Sequence, residues 1–74
     1  MSLQECTNAL RSNGSTYINA GEFSQAELEA AARVAHEQRA RLIISNLKGR
    51  TCEEIGRIVG AGGRQISFAD IHLL

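Results

Sequence analysis

Four side chains in this 74-residue chain are the natural candidates for metal binding or nucleophilic chemistry: Cys6, Cys52, His36 and His72. Their spacing points to neither. Zinc sites draw ligands in close pairs, and these four are scattered singly. No metal set, no cofactor motif and no positioned acid–base pair is expected from them, hence no enzyme. Cys52 keeps the most chemical interest. It follows a helix start at Thr51, where the helix dipole favours a thiolate, and Lys48 and Arg50 precede it. Glu53 and Glu54 oppose that effect, and no histidine lies nearby to act as a base. A Cys6–Cys52 disulfide is the alternative to the plainer reading of two reduced cysteines used as small apolar side chains. His36 stands beside Glu37 and Arg39, on a solvated helix face.

The string Ile55-Gly56-Arg57-Ile58-Val59-Gly60-Ala61-Gly62-Gly63-Arg64-Gln65-Ile66 resembles the signature of the KH domain, an RNA-binding module. In that family a Gly-x-x-Gly loop joins two helices and clamps the sugar–phosphate backbone. Gly60-Ala61-Gly62-Gly63 matches the loop, Ile58-Val59 the apolar pair before it, and Ile66 the apolar residue after it. The resemblance implies a small RNA-binding protein using this loop with Lys48, Arg50, Arg57 and Arg64. The surrounding sequence favours a different origin for the glycines. Gln65 to Ala69 read as strand, where a KH domain needs a second helix, and glycine ends helices because it takes the left-handed conformation without steric cost. A nucleotide-binding loop is a weaker match still: such loops run strand, glycines, helix, and this one runs helix, glycines, strand.

A third group of candidates is polar and lies where strands end. Asn19, Asn46 and Asp70 each follow a run of β-forming residues, and parallel α/β sheets bind ligands at the carboxyl ends of their strands. The same residue types form turns for stereochemical reasons alone. These three, with the apolar Ile71, Leu73 and Leu74 at the end of the sequence, are the candidate binding residues; tails are usually polar, and an apolar one suggests burial against the core or a second copy.

The elements behind these residues come from three helix starts. Ser2–Glu5, Ser24–Glu27 and Thr51–Glu54 each fit the capping box, in which a cap hydroxyl and a Glu three residues on satisfy amides that the first turn leaves open. Counting from each cap, the fourth residue is Cys6, Leu28 or Ile55, the seventh Ala9, Ala31 or Ile58, and the eighth Leu10, Ala32 or Val59. All nine are apolar and share one helical stripe. Helices are expected at about 2–12, 24–38 and 51–60, with Leu10, Leu28, Ile55, Ile58 and Val59 buried. A β-rich run follows each: Thr16-Tyr17-Ile18, Leu42-Ile43-Ile44 and Gln65-Ile66-Ser67-Phe68. Strands are expected at about 16–19, 42–46 and 65–69. The spacing predicts one α/β domain over 1–74, two-layered, made of three helix–strand units (αβαβαβ) with a small three-stranded parallel sheet. With right-handed crossovers, strand order 1-2-3 would set every helix on one face and order 2-1-3 would split them between faces; three short helices cover both faces poorly, which favours two layers.

Composition bounds the rest. Lys and Arg equal Asp and Glu, so the net charge is zero and nucleic acid is not the expected partner. No stretch is apolar enough to cross a membrane and no signal-peptide pattern opens the chain, so a reducing cytoplasm is expected. A core this small supplies only about 3–5 kcal/mol. Proline, which blocks sheet edges, is absent. Together these point to a non-catalytic protein-interaction or assembly module whose partner is another copy of itself, a homodimer, or another protein.

Overall fold

The computed structural model describes residues 2–69. Helix α1 spans Leu3–Asn13, strand β1 Ser15–Asn19, helix α2 Gln25–Gln38, strand β2 Arg41–Ser45, helix α3 Cys52–Gly62 and strand β3 Ile66–Phe68. Two 3₁₀ turns, Ala20–Glu22 and Gly63–Gln65, lie between. All three capping boxes form. The Ser2, Ser24 and Thr51 hydroxyls accept from the amides of Glu5, Glu27 and Glu54 at 3.1, 3.2 and 3.1 Å. Each glutamate accepts in return from the cap amide at 2.8, 2.9 and 2.9 Å. The Ser2 bonds hold the Glu5 carboxyl below its ordinary pKa.

Two helices end on left-handed residues, Gly14 (φ 77) and Arg39 (φ 54). The third ends at Gly63 (φ 59), and the 3₁₀ turn that follows takes up Gln65, so β3 begins one residue later than expected.

The strands are parallel and ordered β1-β2-β3. Thr16 pairs with Leu42 and Leu42 with Ile66; Ile18 pairs with Ile44 and Ile44 with Phe68. These two rows face the helices. Between them, Tyr17, Ile43 and Ser67 form a row on the other face. Crossovers of one hand between neighbouring strands put successive helices on the same side, and α2 packs against both α1 and α3. The result is two layers, helices over sheet. The open sheet face is mainly polar, with Ser15, Asn19, Arg41, Ser45 and Ser67 around Tyr17 and Ile43; Tyr17 is 59% exposed and Ile43 half-buried.

The core holds Cys6, Leu10, Ile18, Phe23, Leu28, Leu42, Ile44 and Ile58, with Ala31, Ala32 and Ala35 where α2 meets its neighbours. Leu10, Leu28 and Ile58 are buried as the stripe requires. Two residues of the same stripe differ. Ile55 is only half-buried, and Val59, expected in the core, is 39% exposed. The cause is position in the array. Leu10 and Ala32 are covered by the next helix in line, and no fourth helix lies beyond α3 among the described residues.

Candidate functional site

The structure brings two of the candidate binding residues together. Asn19 Oδ1 accepts from the Gly21 amide at 2.8 Å and from Asn46 Nδ2 at 2.9 Å. Asn46 adopts a left-handed backbone (φ 60), which asparagine tolerates. A side chain at Gly21 would bring its Cβ within 2.7 Å of Asn46 Nδ2, so the two turns touch at that glycine. These contacts tie the loop after β1 to the loop after β2. Asp70, Ile71, Leu73 and Leu74 lie outside the described residues.

Arg50 completes that tie. Its guanidinium donates to Gln25 Oε1 at 2.8 Å and to the Ala20 and Phe23 carbonyls at 3.1 and 2.9 Å. Gln25 Nε2 donates onward to Glu29 Oε2 at 2.8 Å and to the Glu54 carbonyl at 3.0 Å. A planar, five-donor cation is suited to collecting several carbonyls at once. Arg50 therefore joins the loop before α3 to the loop before α2. Of the other cations considered for RNA contact, Arg57 pairs with Glu53 at 2.7 Å on the solvent side of α3, and Lys48 and Arg64 are exposed.

The glycine string ends α3 and leads through a 3₁₀ turn into β3. Gly62 is buried because α3 approaches its neighbours closely there. An added Cβ would overlap the Ile66 side chain and stand 3.1 Å from the Ala32 carbonyl oxygen. Gly56 and Gly60 have open space around the same position. Both cysteines are free thiols, Cys6 buried and Cys52 exposed, and burial pushes the Cys6 thiol up. Among the described residues no three His, Cys, Asp or Glu side chains converge as a metal site would need.

The repeat frame defines a further surface. With 3.6 residues per turn, the first, fifth and eighth residues after a cap share one flank of the helix. In α1 these are Leu3, Thr7 and Leu10, half-buried, half-buried and buried. In α2 they are Gln25, Glu29 and Ala32, with the same pattern, and Gln25 reaches the Glu54 carbonyl of α3. This flank is thus the one each helix offers to the next unit. In α3 the same positions are Cys52, Gly56 and Val59, and all three are exposed. Ile55, Ile66 and Phe68 beneath them are half-buried, whereas Cys6 and Ile18 at the other end of the array are sealed at 0% and 3%.

The opposite flank of α1 is different in kind. The third, sixth and tenth positions there are Glu5, Asn8 and Ser12, all polar and exposed. In α2 the same positions are Glu27, Ala30 and Val34, half-buried against α1. The array has a polar outer face at its first helix and an apolar, small-residue face at its third. The eighth position of each unit already stood out in the sequence as apolar. The first and fifth carried a signal only once the flank was identified, and nothing in the sequence marked Arg50 as internal.

No protein-family model matches this chain, and no curated protein and no solved structure shows a significant match to it.

Proposed function

We propose that this chain is a non-catalytic assembly module that works through protein contacts, with another copy as its expected partner. The carrying observation is the unequal burial of equivalent repeat positions: Leu10 and Ala32 are covered at 1% and 0%, and Val59 stands 39% exposed. Repeat arrays need polar outer faces at their ends to remain soluble alone. Among the described residues this one has such a face at α1 and lacks it on the Cys52, Gly56 and Val59 flank of α3. No helix of the described residues is long and apolar enough to cross a membrane, and a reducing cytoplasm suits a chain with a free, exposed Cys52.

The test is mass in solution over a concentration series, with and without added single-stranded RNA. Mass that rises with concentration and ignores RNA supports the reading. A protomer mass up to high micromolar concentration, with a shift on adding RNA, refutes it in favour of the glycine-loop alternative.

A further inference from the structure

We infer that Asn13 is a self-modification site: in the folded protein the Gly14 amide nitrogen closes on the Asn13 carboxamide, and the side chain becomes an aspartyl or isoaspartyl group. The pair stands where α1 ends and β1 begins, and both residues are exposed. The chain has four asparagines, Asn8, Asn13, Asn19 and Asn46, and of these Asn13 alone precedes a glycine. Glycine leaves the attacking nitrogen uncrowded, and nothing lies within 4 Å of the point where a Gly14 Cβ would stand. Among the described residues no hydrogen bond holds the Asn13 carboxamide. Ring closure requires the Asn13 ψ to leave the helical value. Asn13 is the last residue of α1, so only the terminal turn has to open, and helix ends fray. The other three are better protected. Asn8 sits inside the same helix. Asn19 Oδ1 accepts from the Gly21 amide at 2.8 Å and from Asn46 Nδ2 at 2.9 Å, and the residues after these two, Ala20 and Leu47, carry side chains and are buried.

The step balances with water as its co-reactant. The Gly14 nitrogen gives up its proton and bonds to Asn13 Cγ; the Cγ–Nδ2 bond breaks, ammonia leaves, and a five-membered succinimide remains. Water then opens the ring at either carbonyl, and no atom changes oxidation state. Opening at Cγ leaves aspartate. Opening at the main-chain carbonyl leaves isoaspartate, which adds a methylene to the backbone. Either product puts a negative charge on a neutral chain, at a helix C-terminus where the dipole disfavours it. Isoaspartate does more. The Gly14 carbonyl accepts from the Arg41 amide at 2.9 Å, just before the Ser15–Arg41 rung that opens the pairing of β1 with β2. A longer backbone there displaces that carbonyl and loosens the entry to β1.

The experiment incubates the native chain in mildly alkaline buffer and follows each asparagine by peptide mapping with mass spectrometry. The same chain in urea and the Asn13→Gln variant, whose longer side chain cannot close a five-membered ring, run beside it. The expected result is the amide-to-acid mass gain at Asn13 of the native chain, with Asn8, Asn19 and Asn46 intact when half of Asn13 has converted, and no gain at that position in Asn13→Gln. The separated isoaspartyl form should show a lower urea midpoint and faster hydrogen exchange at the Arg41 amide than Asn13→Asp, which carries the same charge on an ordinary backbone. Conversion in urea but not in the native chain would overturn the inference, because the helix end would then hold the reacting atoms apart. So would another asparagine reacting first. An isoaspartyl form as stable as Asn13→Asp would overturn the stated effect on β1.

Discussion

Replacing Arg50 by alanine removes three hydrogen bonds from a charged donor, to Gln25 Oε1 and to the carbonyls of Ala20 and Phe23. A bond to a charged group contributes about 1.5–3 kcal/mol when measured singly. The three are not additive, since one guanidinium makes them all, and the site is only part-buried, so water recovers some of the loss. Halving the sum of three leaves roughly 2–4.5 kcal/mol. Set against the 3–5 kcal/mol expected for a core of this size, that is most of the net stability. Urea titration followed by circular dichroism reads it directly as a lower midpoint. Arg50→Lys should recover little, because an ammonium cannot reproduce the planar fork that reaches Gln25 and both carbonyls. An Arg50→Ala midpoint unchanged from that of the unaltered chain would refute this account of how the two loops are joined. So would full rescue by lysine, which would reduce the effect to charge alone.

Gly62→Ala should destabilise by roughly 1–3 kcal/mol through overlap with Ile66, less whatever the better helix former returns, whereas Gly60→Ala should stabilise by up to about 1 kcal/mol because nothing stands near its Cβ; the same urea titration separates them, and equal signs would contradict the close approach at Gly62. A thiol reagent should titrate Cys52 at once in the native protein and Cys6 only as the chain unfolds. Because burial raises the Cys6 pKa in the folded state, its contribution is complete below the ordinary thiol pKa of about 8.5 and is lost as pH rises towards the folded value; Cys6→Val should remove that part of the alkaline loss, seen as a flatter stability profile above that pH. Filter binding to single-stranded RNA should give no affinity tighter than the non-specific range, about 10⁻⁴–10⁻⁶ M, and a tight complex lost on replacing Gly62 and Gly63 by aspartate would reverse that ranking.

The helix starts were legible because a capping box is a local device: Ser2, Ser24 and Thr51 meet their own Glu three residues on, and no tertiary contact is needed. Strand order was less legible, since right-handed crossovers allow 2-1-3 as well as 1-2-3, and only the scarcity of helix to cover two faces favoured the order observed. Val59 was misjudged because periodicity reports which side of a helix is apolar and not whether a neighbour stands there. Ile58 and Val59 are adjacent and equally apolar, and one is buried while the other is exposed. The start of β3 shifted because Gln65 suits a strand locally, yet the chain turns at Gly63, which has a positive φ, and takes a 3₁₀ turn through Gln65 before the strand begins. Asn19 and Asn46 were correctly placed at the strand ends. Their use in holding one another depends on a 2.9 Å approach across 27 residues of chain, which spacing alone does not encode.

The order β1-β2-β3 has a consequence for how the chain is made. Each strand pairs with the strand nearest in sequence, so every loop to be closed spans about one unit and no segment waits for a distant partner. Of the three described units α1 is synthesised before the other two, and its outward flank is polar. Closure can therefore proceed unit by unit along the sheet, and the third described unit leaves uncovered the same kind of flank that the first two cover with the unit after them.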